Sequence, residues 1–373
     1  MEQSTSEILR RHISVILPYS REELIDKIRG CIFGQAIGDA IGIRTECKSS
    51  EWAASKWENQ PLTLLNWVPK KSYFPEGDWS DDTDQLVAII NSYLDSNGFS
   101  TLDFAAKIRD WKRHGFPELG DKRGLGIGKT VKKAILHKSF ISNPHRAALE
   151  VWVNGSCEIA ANGALMRSAI LGIINFHDID QVIRQTQMIG KCTHADPRSL
   201  ASSVAQTVAI ALMLQGVRNI DEVIGASCEI AQNFLKSYRE GLDREVHATC
   251  SPEISQEYDK NRMRVRKLFK RSFLRKYMHI GLDEMRPIDG KNMGYVYFAL
   301  GCGFYGIRQN NYEEMIRSII IEGGDADTNA AIAGALLGCK LGFSRLPSRF
   351  VQELRYRDWL ETKLNRVIDK ILS

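Results

Sequence analysis

This chain of 373 residues is short of several things. No apolar run approaches the roughly 18 residues that a membrane-crossing helix needs, so no helical membrane span is expected. The first residues, Met1-Glu2-Gln3-Ser4-Thr5-Ser6-Glu7, lack a basic n-region and an apolar h-region. That excludes a recognisable secretory signal and points to a cytoplasmic or nuclear protein. None of the eight cysteines forms a Cys-x-x-Cys pair, and a reducing compartment is the simple reading. No charge dominates: 50 Lys and Arg face 45 Asp and Glu, a net +5. Such a balance does not by itself call for a nucleic-acid partner. Alternating strand patterns of useful length are scarce, and no internal repeat or low-complexity tract is found.

What remains is helical. The hydrophobic fraction of 43% and the charged fraction of 25% are those of a globular protein. Leu86, Ile89, Ile90, Tyr93 and Leu94 recur at three- and four-residue steps, as do Val204, Val208, Ala211 and Leu212. Ala331, Gly334, Ala335, Gly338 and Cys339 make a helix face of small residues, which allows close approach and is expected at the centre of a bundle. Nothing resembles a linker strongly enough to split the chain, so one domain over 1–373 is expected. The polar stretch 239–260, containing Ser251-Pro252, reads as a surface connection or an insertion. The stretch 260–276 holds nine Lys and Arg and no acid, with Val265, Leu268, Phe269 and Phe273 at helical spacing. It reads as an amphipathic helix with a solvated basic face; a polyanion contact is the sharper alternative, without a nucleic-acid fold to support it.

Two acidic motifs carry the chemistry. One is Gly77-Asp78-Trp79-Ser80-Asp81-Asp82-Thr83 and the other Glu322-Gly323-Gly324-Asp325-Ala326-Asp327-Thr328-Asn329. Each clusters oxygen donors at the start of an apolar helix pattern. Capping explains part of either: Ser80 is a natural N-cap, and Asp81 and Asp82 suit a helix N-terminus. Together, however, they match the hard-oxygen preference of divalent cations and suggest a dinuclear hydrolytic site. A third feature, Gly124-Leu125-Gly126-Ile127-Gly128 followed by Lys129 and Thr130, is a glycine-rich turn entering a helix. Such a turn can cradle phosphate, although no strand precedes it as in a P-loop.

In this order the motifs resemble the ADP-ribosylglycohydrolases, or ADP-ribosyl-acceptor hydrolases. The resemblance runs from about Ile28 to about Pro347. It is carried by the stretch from Gly30 to Gly42 with Glu46 following, by Gly77 to Thr83, by Asn162-Gly163-Ala164-Leu165-Met166-Arg167, by Cys192-Thr193-His194 with Pro197, and by Gly323 to Thr328 running on to Gly338.

The resemblance implies an all-α, compact multi-helix orthogonal bundle with a central dinuclear metal cleft holding two Mg²⁺ or Mn²⁺ ions. It puts Ser80, Asp81, Asp82, Asp325, Asp327 and Thr328 on the metals, Ser80 standing where threonine is common. Glu46 matches a glutamate that in some members reaches the site from a mobile loop, and is the candidate to manage protons; Asp82 or Asp327 orients the water. Gly124, Gly126, Ile127 and Gly128 match a phosphate-binding loop. Asn162, Gly163 and Met166 match a substrate-lining stretch, and His194 a histidine near the phosphates or distal ribose.

The implied activity is magnesium-dependent hydrolysis of the bond between the distal ribose of ADP-ribose and a protein acceptor or ADP-ribose chain. The substrate would be an ADP-ribosylated protein or an ADP-ribose-containing small molecule. Arginine-specific members often place an aspartate near the Gly126 position. Its absence favours an O-linked acceptor, with Asp121 and Glu118 as candidates to replace that charge. The alternatives are a dinuclear hydrolase of another nucleotide-like substrate, and a non-catalytic ADP-ribose-binding or crystallin-like structural relative.

Overall fold

The structure, a computed structural model, describes residues 18–65, 74–290 and 292–372. The leader reading of the first residues lies outside these. Among the described residues the protein is all-α, without a strand. A single bridge joins Ala161 to Tyr295. No described helix is long and apolar enough to cross a membrane. The helices that frame the site and its flank are, in chain order, α1 (Arg21–Gly42), α2 (Asp81–Asp95), α3 (Lys129–Leu136), α4 (Pro197–Leu214), α5 (Ile220–Thr249), α6 (Pro252–Leu268), α7 (Val296–Ile307) and α8 (Ala326–Leu341).

The small-residue face of α8 lies at the centre, as its composition predicts, and its partner is α1. Glycine recurs every fourth residue on α1, at 30, 34, 38 and 42, which puts all four on one face. The two helices run antiparallel with backbones touching. A Cβ at Gly34 would sit 2.3 Å from the Gly334 carbonyl oxygen, and one at Gly38 2.2 Å from that of Ala330. A larger residue on either face would push the helices apart. α7 joins this centre in the same manner, with Gly306 against Ala333.

This seam positions the site. It brings the C-terminal end of α1 beside the N-terminus of α8, where a Cβ at Gly42 would lie 2.3 Å from the Cα of Asp327. α2 is fastened to the same point by Asp39. That carboxylate accepts from the Ser80 backbone N–H at 2.9 Å, and from the Thr83 backbone N–H and hydroxyl at 3.0 and 2.6 Å. Two acidic helix starts and one helix end therefore converge, although 246 residues separate Asp82 from Thr328 in the chain.

The stretch 239–260 is not a loop. It forms the last turns of α5 and the first half of α6, and the break falls at Cys250-Ser251, where Ser251 caps α6 and Pro252 takes its first turn. Only a narrow stripe there is apolar and buried, with Leu242, Val246 and Tyr258, which is why composition reads it as a connection. The basic stretch 260–276 is two helices, since α6 ends at Leu268 and the next begins at Arg271. The break rotates the buried stripe onto Leu274 and leaves Phe273 exposed, against expectation. Several of its charges have partners at home: Arg262 pairs with Asp243, Arg264 with Glu158 and Lys260 with Glu257.

Candidate active site

Where α1, α2 and α8 converge, a cleft of about 390 Å³ opens, within the roughly 300–1,000 Å³ usual for small-molecule sites. Glu46, Asp81, Asp82, Asp325, Asp327 and Thr328 line one part of it. Gly126, Ile127, Gly128 and Lys129 line another, and Asn162, Gly163, Met166 and His194 also face it. Most of the residues expected from sequence are thus brought together, with two exceptions. Gly124 does not line the cleft: it packs on the Trp111 indole, and its N–H donates to the Trp111 carbonyl at 2.9 Å. Ser80 is buried behind Asp82, capping α2.

Carboxylate oxygens gather in two groups, each with its atoms within 4.8 Å of one another: Asp39, Asp82 and Asp327, and Glu46, Asp325 and Asp327. Asp327 belongs to both. Asp39 was not expected from sequence. The available signal was an aspartate in an otherwise small and apolar run, and the structure buries it completely.

The hydroxyls of Ser80 and Thr328 both donate to Asp82 Oδ2, each at 3.2 Å. Asp325 Oδ2 accepts from the Asn162 side-chain amide at 2.6 Å. Asn162 therefore steadies a carboxylate as well as lining the cleft. Asp81 stands outside both groups. Its Oδ2 takes the Gln85 amide at 2.5 Å, and a Cβ at Gly126 would lie 2.7 Å from its Oδ1. Gly126 has a φ of +79°, so both backbone and space there require glycine.

Glu46 reaches the cleft from the turn that ends α1. Its neighbours are pinned to the second acidic motif, with the Cys47 N–H on the Gly324 carbonyl at 2.7 Å and the Gly324 N–H on the Lys48 carbonyl at 2.9 Å. A Cβ at Gly323 would strike the Lys48 carbonyl at 2.3 Å. Behind them Arg286 clamps the buried Glu322 in a two-pronged ion pair.

The electrostatics are one-sided. Burial, and then Asp325, push the Glu46 carboxyl up to about 7. Burial, with Asp39, Glu46 and Asp325 nearby, pushes Asp81 up to about 8. Asp82 and Asp327 are raised strongly for the same reasons, desolvation first and like charges second. Asp82 Oδ1 and Asp327 Oδ1 are buried with no hydrogen-bond partner. Buried carboxylate oxygens of this kind need a proton or a cation. An all-oxygen donor set suits a hard divalent ion.

The start of α3 brings a positive element to the same cleft. α3 starts at Lys129 after Gly128, with no side-chain cap and no acid in its first turn. Its first backbone N–H groups are therefore free of side-chain acceptors, and a lysine stands where an acid is normally favoured. Asp121 and Glu118 do not supplement this rim. Asp121 accepts from the Phe116 N–H at 3.0 Å, and Glu118 faces Lys363 at 3.5 Å.

Fold and site thus define an all-helical protein whose cleft sets clustered carboxylates against a free helix N-terminus. The chain belongs to the ADP-ribosylglycohydrolase family, whose model matches residues 20–372. It is 27% identical over 359 residues to an uncharacterised protein of Archaeoglobus fulgidus, covering 93% of this chain and 99% of that one. It is 24% identical to ADP-ribosylarginine hydrolase Tri1 of Serratia proteamaculans (89% and 76% covered) and 23% identical to ADP-ribosylhydrolase ARH3 of Homo sapiens (93% and 94%). A solved structure titled ADP-ribosylglycohydrolase-related protein complex shares the fold, with a TM-score of 0.61 at 20% identity over 93% of this chain and 99% of that one.

Proposed function

We propose that this protein hydrolyses the glycosidic bond between the distal ribose of ADP-ribose and its acceptor, and that it does so with two divalent cations, Mg²⁺ or Mn²⁺. The observation that carries this reading is the pairing, across one cleft, of partnerless carboxylate oxygens on Asp82 and Asp327 with the uncapped start of α3. One end suits cations and ribose hydroxyls; the other suits a pyrophosphate.

Asp39, Asp82 and Asp327 would hold one cation, and Glu46, Asp325 and Asp327 the other; Asp81 and the Thr328 hydroxyl, which line the same cleft, would complete the donor set, with Ser80 behind Asp82. When bound, the cations supply the charge that orients ribose hydroxyls and acidifies water. The chain does the rest. Gly126, Ile127 and Gly128 bring backbone to the phosphates, beside Lys129. Asn162, Gly163, Met166 and His194 enclose the sugar. Bond breaking at the anomeric carbon passes through an oxocarbenium-like state, so a proton must reach the departing acceptor atom or leave the attacking water. Glu46 is suited to that transfer because it reaches the same cleft from the turn that ends α1; in the cation-free protein burial raises its carboxyl to about 7. Asp82 or Asp327 orients the water.

O-linked acceptors are preferred over arginine in this reading. Gly126 has no carboxylate of its own to offer a guanidinium, and Asp121 and Glu118, the candidates to replace that charge, are engaged elsewhere. The test is competing hydrolysis of matched serine- and arginine-linked ADP-ribosyl peptides. Faster release from the arginine peptide would remove the acceptor assignment and leave the hydrolase reading standing.

A further inference from the structure

Behind the cleft a buried polar chain runs to His194 through Arg167, Gln85 and Thr193, which the catalytic reading leaves unused. Arg167, 1% exposed, donates from Nη1 to Gln85 Oε1 at 2.7 Å and from Nη2 to Thr193 Oγ1 at 2.6 Å. Gln85 turns its amide hydrogen to Asp81. Thr193 Oγ1 is also 2.8 Å from His194 Nδ1. His194 is 2% exposed and faces the cleft, and its Nε2 has no hydrogen-bond partner.

We propose that Arg167 and Thr193 are positioning residues that fix His194 as its Nε2–H tautomer, so that the ring presents a standing donor to an oxygen of the bound substrate.

Proton counting leads to this assignment. Every hydrogen-bonding atom of the guanidinium is a donor, so the Thr193 oxygen must accept from Arg167. The hydroxyl hydrogen remains, and its acceptor within reach is His194 Nδ1. A neutral imidazole that accepts at Nδ1 carries its proton at Nε2. The other tautomer would turn Nδ1–H toward the threonine oxygen, strand the buried hydroxyl hydrogen, and aim the protonated side of the ring toward a buried cation. Desolvation, with Arg167 nearby, keeps the ring neutral. The result is a buried donor without an acceptor, facing Gly163 on a ring that lines the cleft. The chemistry it recognises is an acceptor oxygen of a phosphate or a ribose. The same guanidinium steadies Asp81 through Gln85, so one buried side chain orients both the carboxylate side and the sugar side of the site.

The identity of the ligand rests on the ADP-ribose reading; the tautomer does not. The test is a two-bond hydrogen–nitrogen correlation spectrum of the whole chain labelled with nitrogen-15 in histidine, with His194 assigned by its loss in His194→Gln. The expected spectrum of the unliganded protein shows His194 as the Nε2–H form. Thr193→Val should mix or reverse the tautomers and weaken ADP-ribose binding about tenfold, the loss of one hydrogen bond to an anionic group. Thr193→Ser should restore both. An Nδ1–H tautomer in the unaltered protein, or an unchanged His194 spectrum in Thr193→Val, overturns the proposal. The Nε2–H form in a protein that fails to bind ADP-ribose supports the relay and contradicts the glycohydrolase reading instead.

Discussion

Gly126 lies directly against Asp81: a side chain at position 126 would begin 2.7 Å from the Asp81 carboxylate oxygen. The glycine-rich turn and the carboxylate wall are thus a single packed unit, and the glycine keeps the acid where it is. Gly126→Ala should add backbone strain of about 1–2 kcal/mol at its positive φ and displace Asp81. Cation affinity by calorimetry should fall while the helical content stays unchanged. Unaltered affinity would separate the turn from the carboxylates.

Asn162 holds Asp325 by its amide hydrogen. Partners of metal ligands typically control affinity by about 10–100-fold. Asn162→Ala should weaken Mg²⁺ or Mn²⁺ binding by that range with a small change in melting temperature. A large loss of ADP-ribose binding with unchanged cation binding would place Asn162 on the substrate instead.

The α1–α8 seam is tested by stability. Gly34→Ala forces a methyl group onto the Gly334 carbonyl and should cost about 1–3 kcal/mol in urea unfolding, as overpacked cores do. Gly225→Ala is the control. Nothing lies within 4 Å of its Cβ position on α5, so it should be neutral or gain about 0.5–1 kcal/mol. Equal effects would deny that backbone contact sets the seam.

The carboxylates also fix how stability varies with pH. In the cation-free protein Glu46 and Asp81 are raised to about 7 and about 8, chiefly by burial, and Asp82 and Asp327 are raised as well. The unfolded chain releases these protons near pH 4. Between that range and about pH 8 the folded state binds more protons, so its stability falls as pH rises. The cation-free melting temperature should therefore drop from about pH 5 to about pH 8, and added Mg²⁺ should raise it more at the higher pH. A metal-induced shift that shrinks toward pH 8 would contradict the cation assignment.

The site is legible in sequence where it is local. Ser80, Asp81 and Asp82 share one helix start, and Asp325, Asp327 and Thr328 another, so each cluster announces itself by spacing. Asp39 escaped because its role is tertiary: it caps a helix 41 residues away. Arg167 escaped because its partners, Gln85 and Thr193, come from other stretches of the chain. Gly124 misled because a glycine-rich run does not say which glycine faces ligand and which meets Trp111. The fold class followed from periodicity and resemblance, and the central place of α8 from its small residues. The α5–α6 corner did not, because a solvated helix with a one-residue-wide buried stripe has the composition of a loop.

The central claim is that clustered carboxylates and cations cleave a glycosidic bond in this cleft. Its most direct test is product analysis after incubating the protein with a serine-linked ADP-ribosyl peptide and Mg²⁺, with chelator, and as Asp327→Asn. Asp327 is shared by both carboxylate groups. Intact ADP-ribose should be released with Mg²⁺ or Mn²⁺, and that release should be lost on chelation and in Asp327→Asn with the fold retained. Release of phosphate or a nucleoside monophosphate, or undiminished ADP-ribose release after exhaustive chelation, would contradict it.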